Sequence, residues 1–287
     1  MTKPDDTFSL QGADGQVIRG DVYLPSDSAE PPLVIVIHGF KGFKNWGMFP
    51  WLGRELANAG LAAACIDLSH NGIGEDFNTF ERLDLFEQDT WSKRVNDVTA
   101  VLDATEAGKL TDKAKPNPAR IGLLGHSMGG GLAMLMAVKD SRVKSFVTLA
   151  GVNRANRIPM DEVEQHLKVR GYVTLMNGRT NQEMHIGRAF FEELKQHPEA
   201  FDVTAAARVI DKPWLIIHGE EDETVPLSEA HSLLDATEHG PQQGQNVKML
   251  AIGGTGHTFD AGHPFGQPQP ALIQASAAAS SHFQTTL

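Results

Sequence analysis

An apolar run from Ile121 to Leu124 leads straight into Gly125-His126-Ser127-Met128-Gly129, and a helical pattern from Leu132 to Lys139 follows. A buried strand that reverses into a helix so abruptly needs small residues on either side of the turning point, because side chains there would strike the crossing backbone. Gly125 and Gly129, two positions either side of Ser127, meet that need. The turn projects the Ser127 hydroxyl at the N-terminus of a helix, where amides and the helix dipole favour developing negative charge. Such a turn sits between a strand and its crossover helix, so the rest of the chain should read as alternating strands and helices.

It does. Leu33-Val-Ile-Val-Ile37 is a continuous β-branched run ending at His38-Gly39, as expected of a parallel strand buried on both faces. Upstream, the alternating runs Thr7 to Gln11 and Val17 to Leu24 flank turn residues at Gly12 to Gly15 and predict an antiparallel hairpin. Downstream come helix Phe49 to Ala59, strand Ala62 to Asp67, helix Trp91 to Glu106, and strands Ser145 to Leu149, Trp214 to His218 and Lys248 to Ile252. Repeated β-α-β units predict an α/β fold. Its mostly parallel central sheet has about eight strands, including the N-terminal hairpin, and helices on both faces.

One connection breaks the rhythm. Between Gly151 and Ile210 lies far more chain than the ~10–12 residues of a crossover. It reads as a lid insertion, dividing the chain into a core of residues 1–152 and 211–287 and a lid of residues 153–210. Inside it, Tyr172 to Met176, Asn177-Gly178 and Arg179-Thr180 carry a two-residue hairpin signal, because Asn and Gly both tolerate positive φ. Short helices are predicted from Met160 to Val169 and from Ile186 to His197.

Composition bounds the partners. A chain of 287 residues suits one large α/β domain, and 41% hydrophobic residues are ample for a dry core. The formal charge of -11 opposes binding to nucleic acid or an anionic membrane surface. Cys65 is the only cysteine, so no internal disulfide can form. The N-terminal residues lack a basic region followed by an apolar one, and no apolar run approaches a membrane span. A cytoplasmic monomer or homodimer acting on a small molecule is the expectation.

A serine hydroxyl is a weak nucleophile near neutral pH and needs a base oriented by a third group, here in the chain order serine, acid, histidine. After the strand Trp214 to His218 come Glu220, Glu221, Asp222 and Glu223, any of which would lie beside the turn at Ser127. The last strand runs into Gly253-Gly-Thr-Gly-His257, which offers His257 as base, with His263 in the same loop as its rival. His126 is expected to point away from the serine. Two amides should receive an oxyanion: that of Met128, set by the turn, and that of Phe40, in the loop His38 to Phe43 after the first parallel strand. A metal site on His257, Asp260 and His263 is the rival chemistry, but no His-Glu-x-x-His occurs, and no metal or cofactor is called for.

From Leu33 to Phe259 these residues resemble the α/β-hydrolase superfamily. The turn at Ser127, the Gly-x-x-Asp-x-x-Val-Pro stretch at 219 to 226 and the Gly-His-Thr-Phe at 256 to 259 occur in its order. The stretch from His38 to Trp46 and the hairpin-bearing insertion look like the dienelactone-hydrolase-like and cinnamoyl (feruloyl) esterase branch. Dienelactone hydrolases proper use cysteine where this chain has Ser127, which favours an esterase. The resemblance implies Asp222 as the acid, hence a triad of Ser127, Asp222 and His257, with Phe40 and Met128 as oxyanion donors. The implied activity is hydrolysis of a small to medium carboxylic ester, aromatic or short in its acyl part, through an acyl-enzyme. Tyr172, Met176, Phe190 and Phe191 of the insertion are expected to line the substrate pocket. Thioesterase, lactonase and peptidase activities share the triad, and a receptor that binds without turnover shares the fold.

Overall fold

The computed structural model describes residues 2–76 and 79–287. Strands β1 (Asp6–Gln11) and β2 (Val17–Tyr23) form an antiparallel hairpin. There follow β3 (Pro32–Ile37), α1 (Phe49–Asn58), β4 (Ala62–Asp67), α2 (Leu83–Glu87), α3 (Trp91–Glu106), β5 (Asn117–His126), α4 (Met128–Lys139) and β6 (Val143–Leu149). The long connection carries α5 (Met160–Arg170), β7 (Tyr172–Asn177), β8 (Gln182–Gly187), α6 (Arg188–Gln196) and α7 (Val203–Val209). The chain closes with β9 (Trp214–Gly219), α8 (Leu227–Glu238), β10 (Val247–Ile252) and α9 (Pro270–Thr286).

Eight strands make one sheet in the order β1-β2-β4-β3-β5-β6-β9-β10. The hairpin joins it through an antiparallel β2–β4 pair, and all pairs from β4 to β10 are parallel. From β3 the chain passes to β4 on one side and then returns to β5 on the other. Loops leaving the carboxyl ends of β3 and β5 therefore part in opposite directions, which opens a crevice there.

Every residue of β3, β4 and β9 is buried, as expected of parallel strands covered on both faces. Alternation sends Leu33, Ile35 and Ile37 to one face, against Val98 and Leu102 of α3 and Leu132 and Met136 of α4. Val34 and Val36 go to the other face, against Leu52 and Leu56 of α1 and Leu272 and Phe283 of α9. Each such side chain contributes about 1.5–3 kcal/mol by leaving water. Among the described residues no helix is long and apolar enough to cross a membrane.

Three local expectations need correction. The hairpin of the long connection pairs Asn177 with Gln182, so Asn177 stays in the strand and residues 178–181 make the turn, with Asn181 at φ 54°. Ile186 pairs with Val173, so the helix expected from Ile186 starts at Arg188 once the ladder has ended. Helix α4 starts at Met128, several residues earlier than the apolar pattern suggests, because the intervening Gly129, Gly130 and Gly131 are weak helix formers whose close packing favours the helix. Helix α9 had no strong sequence signal. Its Ala- and Ser-rich face is narrow, but Ala275, Ala279 and Phe283 seat it tightly on the sheet.

Candidate active site

Ser127 occupies the bend between β5 and α4 with φ 57° and ψ -119°, a left-handed conformation that costs an L-residue about 1–2 kcal/mol. The surroundings impose it. The Ser127 N–H donates to the Leu149 carbonyl at 2.9 Å, and the Ser127 carbonyl accepts from the Gly130 and Val152 N–H groups at 2.9 and 3.2 Å. A Cβ on Gly125 would fall 2.0 Å from the Gly129 carbonyl oxygen, and one on Gly129 would fall 2.4 Å from that of Ile37. Both glycines are thus required by backbone crossing within the bend.

The loop after β3 lies against this bend. A Cβ on Gly39 would sit 3.0 Å from that of Ser127. His38, buried beneath the loop, has its imidazole pushed down to about 4 by burial and stays neutral. Its Nδ1–H donates to the Gly39 carbonyl at 2.8 Å, and its Nε2 accepts from the Leu68 N–H at 3.3 Å. The loop is thereby pinned to the end of β4. Among the described residues no backbone carbonyl takes up the N–H of Phe40 or of Met128, and both residues face the same cavity as Ser127.

Asp222 follows β9 and is buried, whereas Glu220, Glu221 and Glu223 are exposed. Its Oδ1 accepts from the Thr224 and Val225 N–H groups at 2.9 and 2.8 Å. Its Oδ2 accepts from His257 Nδ1 at 2.8 Å and lies 3.3 Å from His218 Nε2. Burial works against the charge, but hydrogen bonds from His218, His257 and Val225 outweigh it and hold the carboxyl well below the usual carboxylate range. With Nδ1–H committed to an ionised carboxylate, His257 keeps its lone pair on Nε2. His263 is placed elsewhere: its Nδ1 accepts from the Gly47 N–H at 3.0 Å, and its ring packs on Phe43 and Trp46.

Two histidines acquire contacts that their sequence positions did not announce. His126 packs its ring beside that of His257, with ring centroids 4.7 Å apart, and is among the residues lining the cavity. Its Nε2–H donates to the His257 carbonyl at 2.9 Å. Burial, with His257 alongside, pushes its imidazole down to about 3, so it stays neutral. His218 ends β9 fully buried, with Nε2–H donating to the Val225 carbonyl at 2.8 Å while facing Asp222. No local pattern announced it: a spacing of four residues brings side chains together on a helix, whereas His218 stands on a strand and Asp222 in the turn after it.

The cavity at the carboxyl ends of β3 and β5 has a volume of about 440 Å³ and is lined by Ser127, His257, Phe40 and Met128 together with apolar walls from Trp91, Val152, Leu175, Ile186 and Phe190. Of the side chains expected to line it, Phe190 does. Tyr172, Met176 and Phe191 do not. Strand alternation explains the first two: Leu175 and Asn177 of β7 face inward, so Tyr172 and Met176 face out. Tyr172 stacks on His185 at 3.8 Å and Met176 is exposed. Phe191 is buried behind Phe190, edge to face at 5.1 Å. Leu175, Asn177, Ile186 and Trp91 are among the lining residues that the sequence reading missed.

A family model described as the prolyl oligopeptidase family matches residues 54–269. Among curated proteins, the chain is 25% identical over 250 residues to an Escherichia coli protein named "Uncharacterized 31.7 kDa protein in traX-finO intergenic region", covering 77% of this chain and 82% of that one. It is also 25% identical over 264 residues to isoprenylcysteine alpha-carbonyl methylesterase ICME of Arabidopsis thaliana, covering 84% of this chain and 53% of that one, about half the relative's length. Among solved structures, Est1E from Butyrivibrio proteoclasticus with ferulic acid bound superposes with a TM-score of 0.70 at 19% identity, covering 97% of this chain and 98% of that one. At that identity the likeness speaks for the fold. The family match takes in well over half of the sequence, including the bend at Ser127, and the protein is accordingly a serine hydrolase with the α/β-hydrolase fold that belongs to the prolyl oligopeptidase family.

Proposed function

We propose that this protein hydrolyses carboxylic esters through an acyl-enzyme on Ser127, with His257 as general base and Asp222 as the group that orients it. The observation that carries this reading is the 2.8 Å contact from His257 Nδ1 to Asp222, which lies buried behind the wall of the cavity that His257 and the strained Ser127 line. In the first step His257 Nε2 takes the Ser127 hydroxyl proton as Oγ attacks the acyl carbon. The oxyanion is received by the Phe40 and Met128 amides, each such donor being worth about 2.7–4 kcal/mol. The tetrahedral species collapses, and His257 returns its proton to the departing alkoxide. Water, deprotonated by His257, then attacks the acyl carbon and frees the acid and Ser127. Asp222 stays ionised throughout, holding the useful tautomer and stabilising the imidazolium.

A cavity of about 440 Å³ with largely apolar walls suits a small to medium ester. The connection between β6 and β9 would serve as its lid, since it contributes Leu175, Ile186 and Phe190 to the wall. The methylesterase name of one relative and the ferulic acid bound to a structural neighbour favour an ester over an amide. Stoichiometric labelling by a fluorophosphonate, mapped by mass spectrometry, together with turnover of p-nitrophenyl acetate, tests the reading. Labelling at Ser127 with turnover is expected, and neither would indicate a receptor.

A further inference from the structure

The charge around the cavity runs opposite to that of the chain. The protein carries a formal charge of -11, yet Lys41, Arg94, Arg154, Arg157 and Arg179 line the cavity, and no Asp or Glu among the described residues does. Some of this charge is answered locally. Arg94 pairs with the partly buried Asp89 at 2.7 Å. Arg154 and Arg157 share a single carboxylate, the buried Glu229, so that corner keeps one positive charge. Lys41 is half-buried, and its Nζ donates to the Met176 carbonyl at 3.3 Å, an acceptor with no formal charge.

The placement of Lys41 is itself enforced. It sits at φ 57° in the loop that carries Phe40, with its ammonium tied to the hairpin of the long connection. Burial pushes that ammonium down from its ordinary value. A cation set in an apolar cavity is weakly solvated, and an anion that reaches it meets less screening than at the surface.

We propose that the cavity beside Ser127 selects esters that carry an anionic group, held by Lys41 and by the surplus charge of the Arg154 and Arg157 corner. This rests on the esterase reading above and names its substrate class. Sequence alone hid it, because the cations come from the loop after β3 and from the start of the long connection, and they converge only in the fold.

Two matched pairs of probes test it: monomethyl adipate against dimethyl adipate, for an anion on the acyl half, and the acetate ester of para-hydroxybenzoate against its methyl ester, for an anion on the alcohol half. For at least one pair, kcat/KM should favour the anionic member by about tenfold at low ionic strength, and ~1 M salt, which screens surface charge far more than partly buried charge, should leave part of that preference. Lys41→Gln should bring that ratio close to one, Arg154→Gln should lower it by a smaller factor, and Lys41→Arg, which also controls for folding, should retain most of it. If both neutral members are hydrolysed as well as their anionic partners, or if the ratio survives Lys41→Gln unchanged, the anion inference is overturned and the esterase reading stands. Hydrolysis of none of the four overturns both.

Discussion

His126 and His257 touch twice, once through the 2.9 Å hydrogen bond from the His126 Nε2–H to the His257 carbonyl and once ring against ring at 4.7 Å. The residue before the proposed nucleophile therefore fixes the backbone of the proposed base, and it does so as a neutral imidazole. His126→Phe should keep the packing and lose the bond, letting the His257 loop drift. Because small misplacements of a base are costly, kcat on p-nitrophenyl acetate should fall about 10²-fold with little change in KM. His126→Gln, which can still donate, should retain more. Equal rates for all three proteins would mean that His126 only fills space.

Asp222 gives a sharper loss. Asp222→Asn keeps the shape but favours the wrong tautomer of His257, and kcat should drop by about 10⁴-fold. The same change has a stability signature. The folded carboxyl titrates below its unfolded value, so its contribution is present above about pH 4 and is lost as pH falls through the acid range. Urea titrations between about pH 2 and pH 5 should show a shallower acid decline for the variant.

Asp67 points the other way. Burial pushes its carboxyl up to about 6, its Oδ1 accepts from the Lys44 N–H at 2.7 Å, and its Oδ2 has no partner among the described residues. A folded value raised above the unfolded one favours folding at low pH, an advantage lost as pH rises from about 4 through 6. Asp67→Asn preserves the Oδ1 acceptor and removes the ionisation. Relative to wild type, it should gain about 1–3 kcal/mol between pH 4 and pH 8, read from denaturant midpoints.

Glycines at the bend should be far less replaceable than those in open turns. Gly125→Ala drives a Cβ onto the backbone of Gly129, with nothing flexible to yield, and should cost about 3 kcal/mol or more. Gly108→Ala, at φ 64° with no atom within 4 Å, should cost about 1 kcal/mol from conformation alone. Urea unfolding of the two variants measures the contrast.

The hairpin register predicts a difference between neighbours. Leu175→Ala should alter kcat/KM for bulky acyl esters relative to p-nitrophenyl acetate, whereas Met176→Ala, on the outer face, should leave that ratio unchanged. This pair also marks where sequence reasoning ran out. The strand at Leu33 to Ile37 and the bend at Ser127 could be read directly, because burial on both faces and glycine at a backbone crossing are local demands. Which face of the β7–β8 hairpin meets the cavity depends on where the turn falls, and the Asn177-Gly178 signal put it too early. Spacing left four acids open after β9. Burial separates Asp222 from the three exposed glutamates, and that is a property of the fold. The hydrogen bond between His126 and His257 spans 131 residues, and no local pattern announces it.

The most direct test is to trap the acyl group. Wild-type protein mixed with p-nitrophenyl acetate, quenched in acid within the burst and digested, should yield an acetylated peptide with the modification on Ser127, and Ser127→Ala should show neither burst nor acetylation. Acetyl transfer to another residue, or undiminished turnover by Ser127→Ala, would contradict the account.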